Sequence, residues 1–154
     1  MLQSILTNYA ESLQSSEFSA AVGEAIIWII GNLHADSLHP SLIHGDLHQI
    51  NVFVNKGQIT GILDVDTATF ASPKLELARI RYTHFRQMAP ENEGDFIAGY
   101  SSVWGDTTEL LADAKVYDLL MYVDQAYRLV SASVPNEKHI AKHRAAMDAY
   151  LSLL

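Results

Sequence analysis

The chain has 154 residues, 49% of them hydrophobic, with a net charge of −8 and no cysteine. That suffices for one compact domain with a real core, while the acidic balance argues against a nucleic-acid surface, where Lys and Arg must replace counterions. Disulfides and thiolate metal sites are excluded, no run of ~18 apolar residues suggests a membrane span, and MLQSILTNYAES lacks the basic start of a signal peptide, so a cytoplasmic location is expected.

Leu2, Ile5, Tyr9 and Leu13 stand at helical spacing and predict a short helix over 2–14. Ser15 and Ser16 are N-cap candidates for a second helix near 17–34. There Phe18, Val22, Ala25, Ile26, Ile29, Ile30 and Leu33 form a stripe broad enough to expect a central core helix. His39-Pro40 ends that region, and Leu42-Ile43 reads as a minimal strand. Val52 to Val54, a turn at Asn55-Lys56-Gly57, and Gln58 to Leu63 read as a β-hairpin. Beyond Pro73 the pattern is helical: 74–88 stopped by Pro90, 92–104 stopped by Gly105, a long helix capped from Asp106, Thr107 or Thr108 to about 132, and a last one from about 136 to 153. The expected fold class is α+β and mostly helical, a single domain over 1–154 with a small hairpin.

The chemistry concentrates before and after that hairpin. His44-Gly45-Asp46-Leu47-His48-Gln49-Ile50-Asn51 has the form H-x-D-x-x-x-x-N, and Asp64-Val65-Asp66 closes the second hairpin strand. Phosphoryl transfer needs a group that orients the attacking hydroxyl and cations that neutralise the transferred phosphoryl. Magnesium takes oxygen donors, usually one or two protein carboxylates with phosphates and water. Asp46 can accept the hydroxyl proton, Asn51 can turn its amide oxygen to a metal, and a hairpin that folds back returns Asp64 to the same place.

HGDLHQINVFV, GILDVDTA and SPKLELA together resemble the C-terminal lobe of the aminoglycoside phosphotransferase and choline kinase group, distant relatives of the protein kinases. The match is close over about 41–80. The resemblance implies Asp46 as catalytic base, Asn51 and Asp64 as magnesium ligands, and Asp66 as a second metal contact. It implies His44 as a brace of the loop and Phe53 and Leu63 as neighbours of the nucleotide base. ATP or GTP is the implied co-substrate and a small hydroxylated molecule the acceptor. Gln49-Ile50 departs from the Pro-Gly common in relatives but removes no ligand.

Plainer readings stand beside these. Asp66 can be a solvated loop carboxylate, His48 a hydrogen-bonding loop residue, and Phe53 and Leu63 plain core. His44 and His48 have the i, i+4 spacing of zinc proteases, but Gly45 stands where those carry Glu. His139 and His143 share a helix face, expected to be solvated. Glu109, Asp113, Asp118 and Asp124 lie where relatives shape the acceptor site, which suits a cationic acceptor such as an aminoglycoside or amino alcohol, or else form an ordinary acidic surface.

Relatives also carry a preceding lobe with a Gly-rich loop and a phosphate-gripping Lys. Only 43 residues precede His44, and the leading 55 residues hold no Lys or Arg. The nucleotide-clamping lobe is therefore expected to be absent, and its bare face to be covered by a second copy or by a partner supplying that lobe. A non-catalytic lobe kept for binding or oligomerisation is the alternative to an active kinase.

Overall fold

In the computed structural model, which describes residues 2–33, 39–86 and 89–154, contacts divide the chain into two units. The elements in chain order are α1 (Leu2–Leu13), α2 (Ser19–Asn32), β1 (Ser41–Ile43), β2 (Val52–Asn55), β3 (Gln58–Ile62) and β4 (Thr69–Ala71). They continue with α3 (Pro73–Ile80), α4 (Glu93–Trp104), α5 (Thr108–Leu111), α6 (Ala114–Val130) and α7 (Glu137–Leu151). Together they are mostly helical with a small hairpin, as expected. The expected ends of the second helix at 34 and the third at 87–88, and the Leu2 side chain, lie outside the described residues.

One unit joins residues up to 34 with residues from 119 onward. Here α2 lies against both α1 and α7. Leu6, Leu13, Phe18, Val22, Ala25, Ile29, Val123 and Met147 are buried, and a fully buried Leu or Phe contributes about 1.5–3 kcal/mol. The expectation of a central core helix needs correction: Ile27 and Ile30 are exposed, because a 3.6-residue period leaves one face of α2 outside its contacts. Ser16 is not the N-cap of α2, a position held by Phe18 without a side-chain bond. Instead its Oγ donates to Leu13 O (2.7 Å) and accepts the Phe18 N–H (3.2 Å), tying the turn between helices.

His143 is also a correction. It is buried rather than solvated, its Nε2–H donates to Tyr122 O (2.9 Å), and its ring packs against those of Phe18 and Tyr122. Burial holds its pKa below the ordinary imidazole value despite that bond. His139, one turn earlier, is exposed. The Tyr9 hydroxyl donates to Asp124 (2.8 Å), and burial together with that carboxylate pushes the phenol pKa up to about 12.

The other unit, residues 35–118, carries both sheets. In the hairpin β2–β3, Asn55 pairs with Gln58 around Lys56 and Gly57, both at positive φ, as a tight two-residue turn demands. The second sheet pairs β1 with β4, Leu42 opposite Phe70, and this last strand was not foreseen. Ser72 caps α3 by accepting the Lys74 N–H (3.2 Å), with Pro73 in the first turn, where its missing N–H costs nothing.

Two helices expected to be continuous are not. After Ile80 the backbone widens into a π-helical turn, Arg81–Phe85, with the Arg86 N–H bonded to Arg81 O at 2.9 Å. The long helix from 106 breaks into α5 and α6 at Asp113, whose φ of 59° is tolerated by a short polar side chain, and whose carboxylate meets the buried Lys74 ammonium at 3.4 Å. Asp118 is no surface carboxylate: it is 1% exposed and pairs with Arg81 (3.2 Å) and Arg86.

Candidate functional site

The loop from His44 to Asn51 is held from three directions. Glu76, in the first turn of α3, accepts the backbone N–H of His44 through Oε1 (3.2 Å) and of Gly45 through Oε2 (2.9 Å). The His44 ring uses both nitrogens internally: Nε2–H donates to Leu63 O (2.7 Å) and Nδ1 accepts the Asp46 N–H (3.3 Å). Thr67 Oγ1 donates to His44 O (2.9 Å). With both ring nitrogens occupied, His44 has none left for zinc.

Gly45 has a φ of +79°, and a Cβ built there would lie 2.6 Å from Thr67 O, so only glycine lets the two segments approach. That approach matters because Leu63 and Thr67 bracket Asp64 and Asp66. Leu63 also donates its N–H to Asn51 O (2.9 Å). The segment carrying both aspartates is thus fastened at each end to the loop carrying Asp46 and Asn51. Asp64 itself has a left-handed backbone (φ 60°, ψ 55°), an uncommon conformation that clusters at functional sites.

Asn51 is buried, and its Nδ2 donates to Asp46 O (3.1 Å). With the nitrogen committed to the loop, the amide oxygen is the end left for a cation. The same Nδ2 lies 3.3 Å from His48 Nε2, which therefore acts as acceptor. Asp46 is partly exposed, its carboxylate 3.7 Å from His48 Nε2 and 3.9 Å from Arg79 Nη1. Asp64 and Asp66 are exposed. So are Phe53 and Leu63, each more than half, which removes the reading of either as plain core.

This donor set is all oxygen and suits a hard cation such as magnesium. No group of three or more His, Cys, Asp or Glu among the described residues could hold a metal alone, and magnesium is typically bound by one or two carboxylates together with substrate phosphates. Asn51, Asp64 and Asp66 are of the right chemical type for that pattern.

Glu76 and Arg79 are contributors that the sequence reading did not single out. They stand three residues apart on α3, so both reach one side of it. In the sequence Glu76 appears only within SPKLELA, and as a first-turn acid it also complements the helix dipole.

No curated protein sequence matches the chain significantly. The solved structures that match include a thermostable mutant of aminoglycoside phosphotransferase APH(4)-Ia in ternary complex with AMP-PNP and hygromycin B. It is 22% identical, with a TM-score of 0.69, and the match covers 92% of this chain and 46% of that one. The apo form of a thermostable mutant of the same enzyme matches over the same shares, at 21% identity and a TM-score of 0.70. The chain thus spans about half the length of these structures, and the likeness is one of fold. The sequence pattern of the Phosphotransferase enzyme family (APH) matches residues 2–112, and the chain belongs to that family.

Proposed function

We propose that this chain is the phosphoryl-transfer lobe of a magnesium- and ATP- or GTP-dependent kinase acting on a hydroxyl of a small molecule. The observation that carries the reading is the fastening of the Asp64–Asp66 segment, at Leu63 and at Thr67, to the loop that bears Asp46 and Asn51. In this reading Asp46 takes the proton of the acceptor hydroxyl as its oxygen attacks the γ-phosphorus and the bridging bond to the nucleoside diphosphate breaks. Asn51, Asp64 and Asp66 hold magnesium, which when bound offsets charge on the phosphate oxygens. Phe53 and Leu63 face the base. His44, Glu76 and Thr67 keep the loop in place, and His48 holds the Asn51 amide.

A thermal-shift measurement with magnesium and ATP tests this. Saturation at about 100 times Kd adds about 2.7 kcal/mol of stability, so a clear rise in Tm is expected, dependent on magnesium and lost in Asp64→Ala. No rise at millimolar nucleotide contradicts it.

A second reading rests on a separate observation. Phe53, Val54, Ile59, Ile62, Leu63 and Val65 on and beside the hairpin are all at least half exposed. Apolar surface of that kind is usually covered by another chain. A second copy, or a partner carrying the nucleotide-clamping lobe, suits it, and a non-catalytic interaction module would use the same face. Sedimentation separates these: a concentration-dependent mass, without any nucleotide shift, favours the module.

A further inference from the structure

Beside the loop lies a cavity of about 400 Å³, within the range of small-molecule sites. Its walls come from the loop (Leu47), from β2 (Val52 and Val54), from α3 (Ile80), and from Phe85 and Phe96, whose ring centroids are 5.3 Å apart. We infer that this cavity receives the acceptor, and that the acceptor is an uncharged alcohol with a mainly apolar, ring-bearing body. The inference rests on the phosphotransferase reading and deepens it.

Position comes first. His48 belongs to both places: it lines the cavity, and its Nε2 lies 3.7 Å from the Asp46 carboxylate. A molecule filling the cavity has one end at the residue beside the proposed base.

Charge comes second. The polar members of the lining are His48, Gln49, His84 and Asn92, which are hydrogen-bonding groups and not carboxylates. Glu109, Asp113, Asp118 and Asp124 are all absent from the lining, and Asp113 and Asp118 are paired with Lys74 and with Arg81 and Arg86. Away from the Asp46 end, a polycation entering here would lose its hydration without meeting a carboxylate on the walls. A quaternary ammonium would find rings only on the side of His84, Phe85 and Phe96, since Leu47, Val52, Val54 and Ile80 make the rest of the walls aliphatic.

Shape and polarity come third. The π-helical turn sets His84 next to Phe85 on the lining, ring centroids 5.1 Å apart and edge to face, forming with Phe96 an aromatic cluster against which a further ring can pack. His84 Nδ1 is buried and has no hydrogen-bond partner among the described residues. A site of apolar walls with a few hydrogen-bonding groups and no carboxylate in its lining selects a mainly apolar molecule with a few polar groups.

The test is ligand-observed saturation-transfer NMR on the full chain with phenethyl alcohol as probe, and kanamycin and choline as competitors. Val54→Trp fills the cavity from an exposed strand position, and Phe96→Ala removes part of the aromatic cluster. Phenethyl alcohol should bind the wild type, lose about tenfold or more in affinity in each folded variant, and resist both competitors. Absence of binding, unchanged binding in either folded variant, or displacement by kanamycin or choline overturns the inference. The magnesium–ATP shift, read on the same sample, judges the phosphotransferase reading separately. Alcohol binding lost in the variants supports the cavity whatever the nucleotide does, while a missing nucleotide shift counts against the transfer reading alone.

Discussion

Removing the Glu76 carboxylate tests whether the loop is held from α3. That carboxylate receives two backbone N–H groups, at 3.2 and 2.9 Å. A hydrogen bond to a charged group contributes about 1.5–3 kcal/mol, and the low end applies because the site is only partly buried. Glu76→Ala should therefore cost about 3 kcal/mol, and Glu76→Gln, which retains one acceptor oxygen, about half of that. Urea denaturation reads the global loss. Hydrogen exchange reads the local one: the His44 and Gly45 amides should exchange about a hundredfold faster in Glu76→Ala if opening of the loop controls their exchange. A loss under about 0.5 kcal/mol with unchanged exchange at those two amides would refute the reasoning.

Gly45→Ala should destabilise by at least about 2 kcal/mol, since alanine resists positive φ and its Cβ would meet Thr67 O. Gly23→Ala, which meets nothing in α2, should instead stabilise by up to about 1 kcal/mol; denaturant midpoints compare the two. Asp118→Ala leaves Arg81 and Arg86 without their shared carboxylate and should cost about 3–5 kcal/mol by the same measurement. The lowered pKa of His143 means that the unfolded chain takes up its proton first as pH falls. Its contribution is complete above the unfolded value of 6.5 and is lost as pH drops through the folded one. The wild-type urea midpoint should fall between about pH 7.5 and pH 5, and His143→Gln should flatten that part of the profile.

The motif was legible because it is local: eight consecutive positions contain the proposed base, the proposed amide ligand and two histidines, and the hairpin turn announces itself at Asn55-Lys56-Gly57. Helix ends marked by Pro73 and Gly105 were legible for the same reason. What was hidden depends on partners distant in sequence. Thr69–Ala71 is three residues long and becomes a strand only by pairing with Ser41–Ile43. Glu76 needs two N–H groups about thirty residues away to be more than a helix-start acid. Asp113 looks like any helical aspartate until its φ turns positive over Lys74, and His143 looks like a surface residue until Phe18 and Tyr122 enclose it. Periodicity could place apolar stripes but not show which part of α2 would stay outside.

The central claim is that oxygen donors from the loop and from the segment after the hairpin share one cation. Paramagnetic broadening measures this directly, with Mn²⁺ and AMP-PNP titrated into isotope-labelled protein. The account predicts selective loss of the Asn51 side-chain amide signal and of the Asp64 and Asp66 resonances, at substoichiometric Mn²⁺ and reversed by excess magnesium. Broadening confined to surface carboxylates elsewhere, with Asn51 and Asp64 unaffected, would contradict it.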